Sequence, residues 1–349
     1  MMNDEHDELD VANEPESRLR LRNGSSFQDY LQLMRLPNVF TAMADVAMGF
    51  LFVQAGSKWA PTLWDVATLA TLIATSSVLY IAGMVLNDVF DLEIDRQERP
   101  ERPIPSGRVS FESARRLGWR LLILGVALGS ATVFFTGHLR PGVAAALLAT
   151  AILLYDAWLK RTPLGPVAMG TCRMLNVLLG MSAVDAPLHA EHWLVAGAIG
   201  VYVVGITLLA RKETEQGSRP QLIAATFVMM FGIAMLAWLP HCCDRLIDQL
   251  RYHLSPFAKQ PPWYDLALSG TGKWYVLVGL LGALIVRRCL YAIGNPSPIR
   301  VRRAVANAIL SIIMLDAVAC YSTRGVLWAT MILLLLVPAM FLGRRIAIT

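Results

Sequence analysis

Long apolar segments alternate with short polar loops along most of the chain. Ten segments of about 19 to 23 residues are each long enough, at 1.5 Å per residue, to cross about 30 Å of hydrocarbon. They lie near 36–55, 65–87, 114–136, 141–159, 165–184, 191–211, 220–240, 274–294, 301–321 and 325–343. Hydrocarbon cannot satisfy exposed backbone amides, and the segments lack the alternation of barrel strands. The pattern predicts an all-α, polytopic transmembrane helical bundle of nine or ten spans.

Two polar regions interrupt this pattern. Residues 1–35 are polar and mixed in charge, without the apolar core of a signal peptide, so we expect a cytoplasmic N-terminal tail. The transmembrane domain is predicted over 36–345. Residues 241–273 are mixed and rich in Pro, Trp and Tyr, which indicates an interfacial insertion on the outer face. The tenth span is separated from the ninth only by residues 322–325.

Composition identifies the solvent as the bilayer. Hydrophobic residues make up 55% of the chain and charged residues 16%, against about 25% charged in soluble proteins. The net charge is +5, but most of the 31 Lys and Arg residues fall in loops on one side, which places both termini in the cytoplasm. The five cysteines form no CxxC pair, so a disulfide framework or a zinc site is not expected. These features exclude a nucleic-acid-binding domain, a secreted disulfide scaffold and a disordered protein.

An acidic cluster follows the second span, in the sequence NDVFDLEIDR at residues 87–96. Asp88, Asp91 and Asp95 are spaced i, i+3 and i+7, so a continuous helix would place the three carboxylates on one face. Carboxylates that repel one another call for a cation, and oxygen ligands favour Mg²⁺, which usually binds phosphates as well. The alternative is a solvated helix end whose acids pair with Arg96, Arg99 and Arg102.

The motif NDxxDxxxD, followed by RPxxSG at 102–107, resembles the UbiA-type intramembrane prenyltransferase superfamily, which includes 4-hydroxybenzoate polyprenyltransferases. The resemblance extends to RLPNVFT at 35–41 and YDAWLKR at 155–161, and covers residues 27 to about 240. It implies a helical bundle around a central cavity. It also implies Mg²⁺-dependent transfer of a polyprenyl group from an allylic diphosphate to an aromatic or other lipophilic acceptor, in a bacterial-type inner (plasma) membrane.

The resemblance also implies roles for particular residues. Asp88, Asp91 and Asp95 would be the catalytic residues and the Mg²⁺ ligands. Arg173 lies inside a span, where a charge usually faces a cavity or a partner, although it could also snorkel to the interface. The expected substrate-binding residues are Asn38, Asn87, Arg102, Tyr155, Lys160, Arg161, Arg173, Asn176 and Glu213. Asp45 and Asp316 also lie within spans, and we assign neither a catalytic role.

One departure from the family pattern leaves other functions open. Members usually carry a second aspartate-rich motif at the end of the sixth helix, whereas residues 209–218 read LARKETEQGS, without aspartate. Glu213 and Glu215 point to different faces of a helix, so only one could reach the first motif. Arg211 and Lys212 could instead replace metal charge with fixed cations. Altered acceptor chemistry, a non-catalytic prenyl-lipid binding or transport role, and a CDP-alcohol phosphotransferase are the alternatives.

Overall fold

The computed structural model describes residues 27–54, 60–211, 219–242 and 270–345, and every regular element in these ranges is helical. Short 3₁₀ turns cover Leu36–Asn38, Leu159–Arg161 and Leu239–His241. The α-helices are α1 Phe27–Met34, α2 Val39–Val53, α3 Leu63–Phe90, α4 Leu92–Glu98, α5 Phe111–Ala131, α6 Val133–Thr136, α7 Arg140–Ala157, α8 Gly165–Met181, α9 Ala190–Ala210, α10 Arg219–Ala237, α11 Gly270–Gly294, α12 Pro298–Arg324, α13 Val326–Leu333 and α14 Leu336–Arg345.

Within the described ranges, nine helical stretches are long and apolar enough to cross a membrane. The all-α transmembrane prediction is therefore confirmed. The predicted span at 165–184 is the 17-residue helix α8, which falls just below that length yet packs between α7 and α9. The predicted tenth span corresponds to α13 and α14, which together form one of the nine stretches, Val326–Gly343.

Local sequence signals fix where several helices begin and end. Thr62 and Asp65 form a capping box at the start of α3, in which each side chain accepts a hydrogen bond from the other residue's backbone amide. Ser110 caps α5 through its hydroxyl oxygen, which accepts from the Ser113 amide. Gly325 has φ 76°, a left-handed value that glycine adopts without strain, and it separates α12 from α13.

Helix α2 is the centre of the bundle, with α3, α8 and α12 packed around it. Its crossing with α8 is close, because Gly49 on α2 and Gly180 on α8 have no side chains. A Cβ atom on Gly180 would overlap the Val46 carbonyl oxygen and lie 2.9 Å from the Phe50 amide nitrogen. Arg324 holds the C-terminal end of α2, since its guanidinium donates to the carbonyl oxygens of Leu51 and Gln54. These contacts fix α2 beside the helices that carry the candidate site.

The end of the region predicted as a polar tail is ordered. Helix α1 packs against α3 and buries Leu33 among apolar side chains that include Val85 and Val109. Asp29 on α1 is also buried and accepts a hydrogen bond from Arg108. Residues 1–26 and most of the predicted 241–273 insertion lie outside the described residues.

The α2–α8 crossing gives a test of the fold. We expect Gly180→Val to destabilise the protein by about 2–3 kcal/mol, because the new side chain forces the two helix backbones apart. Gly279→Val in α11 is the matched control, since a Cβ atom there meets nothing within 4 Å. Thermal unfolding of the purified proteins in detergent measures both changes. Equal unfolding midpoints for the two variants would contradict this close helix crossing.

Candidate active site

A cavity of about 310 Å³ opens between α2, α3, α7, α8, α9 and α12. Aliphatic side chains form most of its wall, among them Leu148, Ile152, Ile206 and Ile309. Its polar lining residues are Arg35, Asn38, Ser76, Tyr80, Tyr155, Asp156, Cys172, Arg173, Asn176 and Thr207. The bundle thus encloses the central cavity that was expected, and its polar groups can orient a mostly apolar ligand.

The acidic cluster lies where α3 ends. Asp88 and Asp95 are 5% and 4% exposed, and Arg102 joins them, with its Nη1 atom 2.6 Å from Asp95 Oδ2 and 3.4 Å from Asp88 Oδ1. Arg35 Nη2 donates to the same Asp88 oxygen at 2.9 Å. Buried carboxylates are tolerated only when they are paired, so the two arginines account for the burial.

Asp91 pairs with different cations. The regular helix is interrupted at this residue, which lies between α3 and α4 with φ −94° and ψ 5°. Lys160 Nζ lies 2.9 Å from Asp91 Oδ1 and 3.0 Å from Asn87 Oδ1. Arg161 donates to the Phe90 carbonyl oxygen at 2.9 Å and lies 3.5 Å from Asp91 Oδ1. The loop after α7 therefore brings two positive charges to the end of α3.

Arg35 connects the charged cluster to the cavity. It lines the cavity and also pairs with Asp88. Among the described non-glycine residues, only Arg35 has a positive φ, at 46°. This left-handed conformation is unfavourable for a residue with a Cβ atom, and such outliers concentrate at functional sites. The backbone here directs a cation to the junction between the acids and the apolar space.

The arrangement differs from the expected ladder of three carboxylates on one helix face. Arg102 holds Asp88 and Asp95 together, whereas Asp91 is drawn to Lys160 and Arg161 after the helix break. Across the described part of the chain, no three Asp, Glu, His or Cys side chains are grouped as a metal site. Of the arginines in the alternative hypothesis, Arg102 pairs with the acids, while Arg96 pairs with the exposed Glu93.

The donor chemistry nevertheless fits Mg²⁺. Asp88, Asp91 and Asp95 each use one carboxylate oxygen in the contacts above, and the other oxygen accepts no hydrogen bond from a described residue. Mg²⁺ prefers oxygen ligands and usually binds through one or two carboxylates together with substrate phosphates. Two of these aspartates, with a diphosphate between them and the cations, would meet that requirement.

Asp95 is the acid of this cluster that lies outside the spans and whose pKa is changed by burial. Burial raises the pKa of the Asp95 carboxyl above its ordinary value, and the hydrogen bond and charge of Arg102 oppose that rise. The like charges of Asp88 and Asp91 raise the pKa further. Arg102 is therefore important for keeping Asp95 ionised.

A second polar network lies deeper, at the cavity wall. Arg173 donates to Asp45 Oδ2 and to Thr41 Oγ1, both at 2.8 Å, and stacks over the Tyr80 ring at 5.6 Å. Asn176 also donates to Asp45 Oδ2, at 3.0 Å, and accepts from Ser76 at 2.7 Å. Asp316, which is fully buried on α12, lies beside Asp45. Arg173 thus faces the cavity with a partner and does not reach the interface.

The sequence interpretation missed several residues of this region. Arg35 and Asp156 belong to the two quoted stretches, RLPNVFT and YDAWLKR, but no role was assigned to either. Tyr80 had no signal beyond its place in an apolar span, and Asp45 was set aside, although it is the ion partner of Arg173. Asn38 and Tyr155 line the cavity as described above. Glu213 lies outside the described residues.

Comparison with known sequences identifies the family. A family model described as the UbiA prenyltransferase family matches residues 42–296, which is more than half of the chain. The chain belongs to the UbiA prenyltransferase family. The charged cluster and most of the cavity wall of this UbiA chain lie within the matched residues.

Curated relatives of this UbiA chain are named digeranylgeranylglyceryl phosphate synthase. The relative from Saccharolobus solfataricus is 31% identical over 186 residues, which are 53% of this chain and 61% of that protein. The relative from Ignicoccus hospitalis is 37% identical over 54% of this chain and 57% of its own length. These alignments span about three-fifths of those relatives. A third, from Methanoculleus marisnigri, is 27% identical over 86% of this chain and its whole length.

Solved structures share the fold. A structure described as that of a digeranylgeranylglyceryl phosphate synthase in membranes has a TM-score of 0.53 at 20% identity, covering 90% of this chain and 98% of the other. A UbiA homologue from Archaeoglobus fulgidus, bound to GPP and Mg²⁺, has a TM-score of 0.53 at 12% identity and covers 82% and 99% of the two chains. At these identities the likeness concerns the fold.

The Arg173 network gives a second test. Asp45→Leu leaves the guanidinium, whose side chain is 11% exposed, without its carboxylate, and we expect a loss of about 3–5 kcal/mol in unfolding free energy. Adding Arg173→Met should restore part of that loss, because the guanidinium that has lost its carboxylate partner is then absent. Asp185→Leu is the control, since its pair with Arg140 is exposed and contributes about 1 kcal/mol or less. Unfolding in detergent measures all of them, and equal losses for Asp45→Leu and Asp185→Leu would refute the buried pair.

Proposed function

We propose that this protein is an integral-membrane, Mg²⁺-dependent prenyltransferase that moves a polyprenyl group from an allylic diphosphate to a lipophilic acceptor. The observation that carries the proposal is a cluster of cations and carboxylates at one end of an apolar cavity. An allylic diphosphate has the matching form, since it joins a highly charged group to a hydrocarbon chain. Family membership supports the same activity.

Different residues of the site would bind different parts of the substrate. Arg35, Arg102, Lys160 and Arg161 would donate to the diphosphate oxygens, to which arginine binds in a bidentate manner. Their carboxylate partners would then be free to hold Mg²⁺, with Asp88 and Asp91 as the principal ligands and Asp95 beside them. Bound Mg²⁺ supplies charge neutralisation at the diphosphate oxygens. Asn38 and Tyr155, at the cavity wall, would contact the substrate between its two parts.

The chemistry is the heterolysis of an allylic carbon–oxygen bond. The fixed cations stabilise the negative charge that develops on the departing diphosphate, and they are already oriented before the reaction begins. The aliphatic wall encloses the prenyl chain and excludes water from the electron-poor carbon. Arg173 and Asn176, held by Asp45, line the same space and would bind a polar part of the acceptor. In that position they would select which acceptor enters.

A glyceryl phosphate type of acceptor is better supported than an aromatic one. The three archaeal relatives described above are named for a digeranylgeranylglyceryl phosphate product, which contains no aromatic group. Such an acceptor presents a hydroxyl group and a phosphate, which suits a cavity that contains both carboxylate and guanidinium groups. We propose a geranylgeranyl-sized donor on the same ground.

The orientation follows from the loop charges. We propose that the acidic cluster faces the cytoplasm and that both termini lie there, because the basic residues concentrate in the loops on that side. The membrane would then be a plasma membrane of prokaryotic type. The relatives named above are archaeal. We keep the bacterial-type membrane expected from the sequence as part of this proposal.

The decisive experiment measures transfer by the purified protein in lipid nanodiscs. With radiolabelled geranylgeranyl diphosphate and a glyceryl phosphate monoether, we expect an Mg²⁺-dependent diether product. Asp88→Asn and Asp91→Asn should each lower kcat about 10²–10³-fold, because each replaces a charged carboxylate ligand of the proposed Mg²⁺ with a neutral amide. Asp185→Asn, an exposed carboxylate paired with Arg140, is the matched control and should leave kcat unchanged.

Other outcomes would contradict the proposal. Full activity in the presence of EDTA would exclude the proposed Mg²⁺ requirement. Full activity of both aspartate variants would exclude the proposed role of the acidic cluster. Tight binding of the diphosphate without product from any hydroxyl or aromatic acceptor would indicate a binding or transport role instead.

A further inference from the structure

Asp156 is a buried carboxyl group that the proposed diphosphate site does not use. It lies at the end of α7, is 2% exposed and lines the cavity. Its Oδ2 atom has no hydrogen-bond partner among the described residues. A buried carboxylate oxygen normally accepts at least one hydrogen bond, so this atom is an empty acceptor position. A donor on a bound ligand would fill it.

Asp156 lies at the boundary between the charged end of the site and the apolar wall of the cavity. Lys160, Asp91, Arg35 and Asp88 are all close enough for their charges to act on its carboxyl. Its Oδ2 atom lies 4.0 Å from the point that a Cβ atom on Gly83 would occupy, and Gly83 itself lines the cavity. The carboxyl therefore stands where the charged end of the site meets its apolar wall. In an allylic diphosphate, the reacting carbon lies at that same junction.

We propose that Asp156 is the proton acceptor for the attacking hydroxyl group of the acceptor. This inference rests on the proposed prenyl transfer and adds the fate of the proton. The acceptor oxygen forms a bond to the allylic carbon, while the bond between that carbon and the diphosphate oxygen breaks and leaves its electron pair on the diphosphate. The proton of the acceptor hydroxyl passes to Asp156 Oδ2, which leaves the new ether oxygen of the product neutral.

The surrounding structure favours this role over metal binding. Asp88, Asp91 and Asp95 of the acidic cluster are each paired with a cation through one oxygen. Asp156, in contrast, has neither an ion pair nor a hydrogen bond to Oδ2 in the described part of the chain. It also lines the cavity, while Asp88, Asp91 and Asp95 do not.

The test separates ionisation of the donor from proton removal. Asp156→Asn keeps the size of the side chain but cannot take the proton. With radiolabelled geranylgeranyl diphosphate and a glyceryl phosphate monoether, we expect transfer to fall about 10²–10⁴-fold. Slow release of diphosphate without any acceptor should stay within about 3-fold of wild type, because that step does not involve the acceptor proton.

A thiol analogue of the acceptor provides the rescue. At about pH 9 a thiol with a pKa near 8.5 is largely ionised and needs no base, so Asp156→Asn should transfer to it within about 3-fold of wild type. This result would also demonstrate that the variant is folded. Asp156→Glu should retain more hydroxyl transfer than Asp156→Asn, and Asp185→Asn serves again as the exposed control.

Three results would overturn the inference, and they are distinguishable. Hydroxyl transfer by Asp156→Asn within about 3-fold of wild type would exclude Asp156 as the base. Equal losses of hydroxyl transfer, thiol transfer and acceptor-free diphosphate release would assign Asp156 to the diphosphate or to structure. Absence of transfer by the wild-type protein would contradict the proposed function and, with it, the role of Asp156 as the base.

Discussion

The pairing of buried charges at one end of an apolar cavity is the constraint on which this structure depends. Asp88 and Asp95 are almost fully enclosed, and burying an ionised carboxylate is costly unless a cation stands beside it. Arg35 and Arg102 provide those cations from two separate parts of the chain. The start of the first span, the end of the second and the loop after it must therefore meet at one place.

The same charge balance prepares the site for an anionic ligand. Each of these cations already has a carboxylate partner, so the protein folds without leaving a cluster of unpaired positive charges at this end of the cavity. A diphosphate would exchange one set of anionic partners for another, and a divalent ion would take up the carboxylates that are released. The proposed site thus holds its recognition groups as internal ion pairs.

The deeper network follows the same rule with different groups. Arg173 is tolerated inside the bundle because Asp45 and Thr41 on α2 and the Tyr80 ring on α3 surround its guanidinium. The close approach of α2 and α8 at Gly49 and Gly180 brings that arginine to its partner. A packing feature of the helix backbones therefore supports an electrostatic feature of the cavity.

The helical spans and the acidic motif could be predicted from the amino-acid sequence, because hydrophobic length and i, i+3, i+7 spacing are local properties of the chain. The sequence also indicated that Arg173 should face a cavity, since a charge within a span needs a partner. The ion pairs could not be predicted in this way, because their partners lie on separate elements of the chain and meet through tertiary packing. Arg102 joins Asp88 to Asp95, Asp91 pairs with Lys160, and Asp45 is the partner of Arg173. Asp156 was unremarkable in sequence. Its significance came from burial without a hydrogen-bond donor, a property that depends on how helices far apart in the chain pack together.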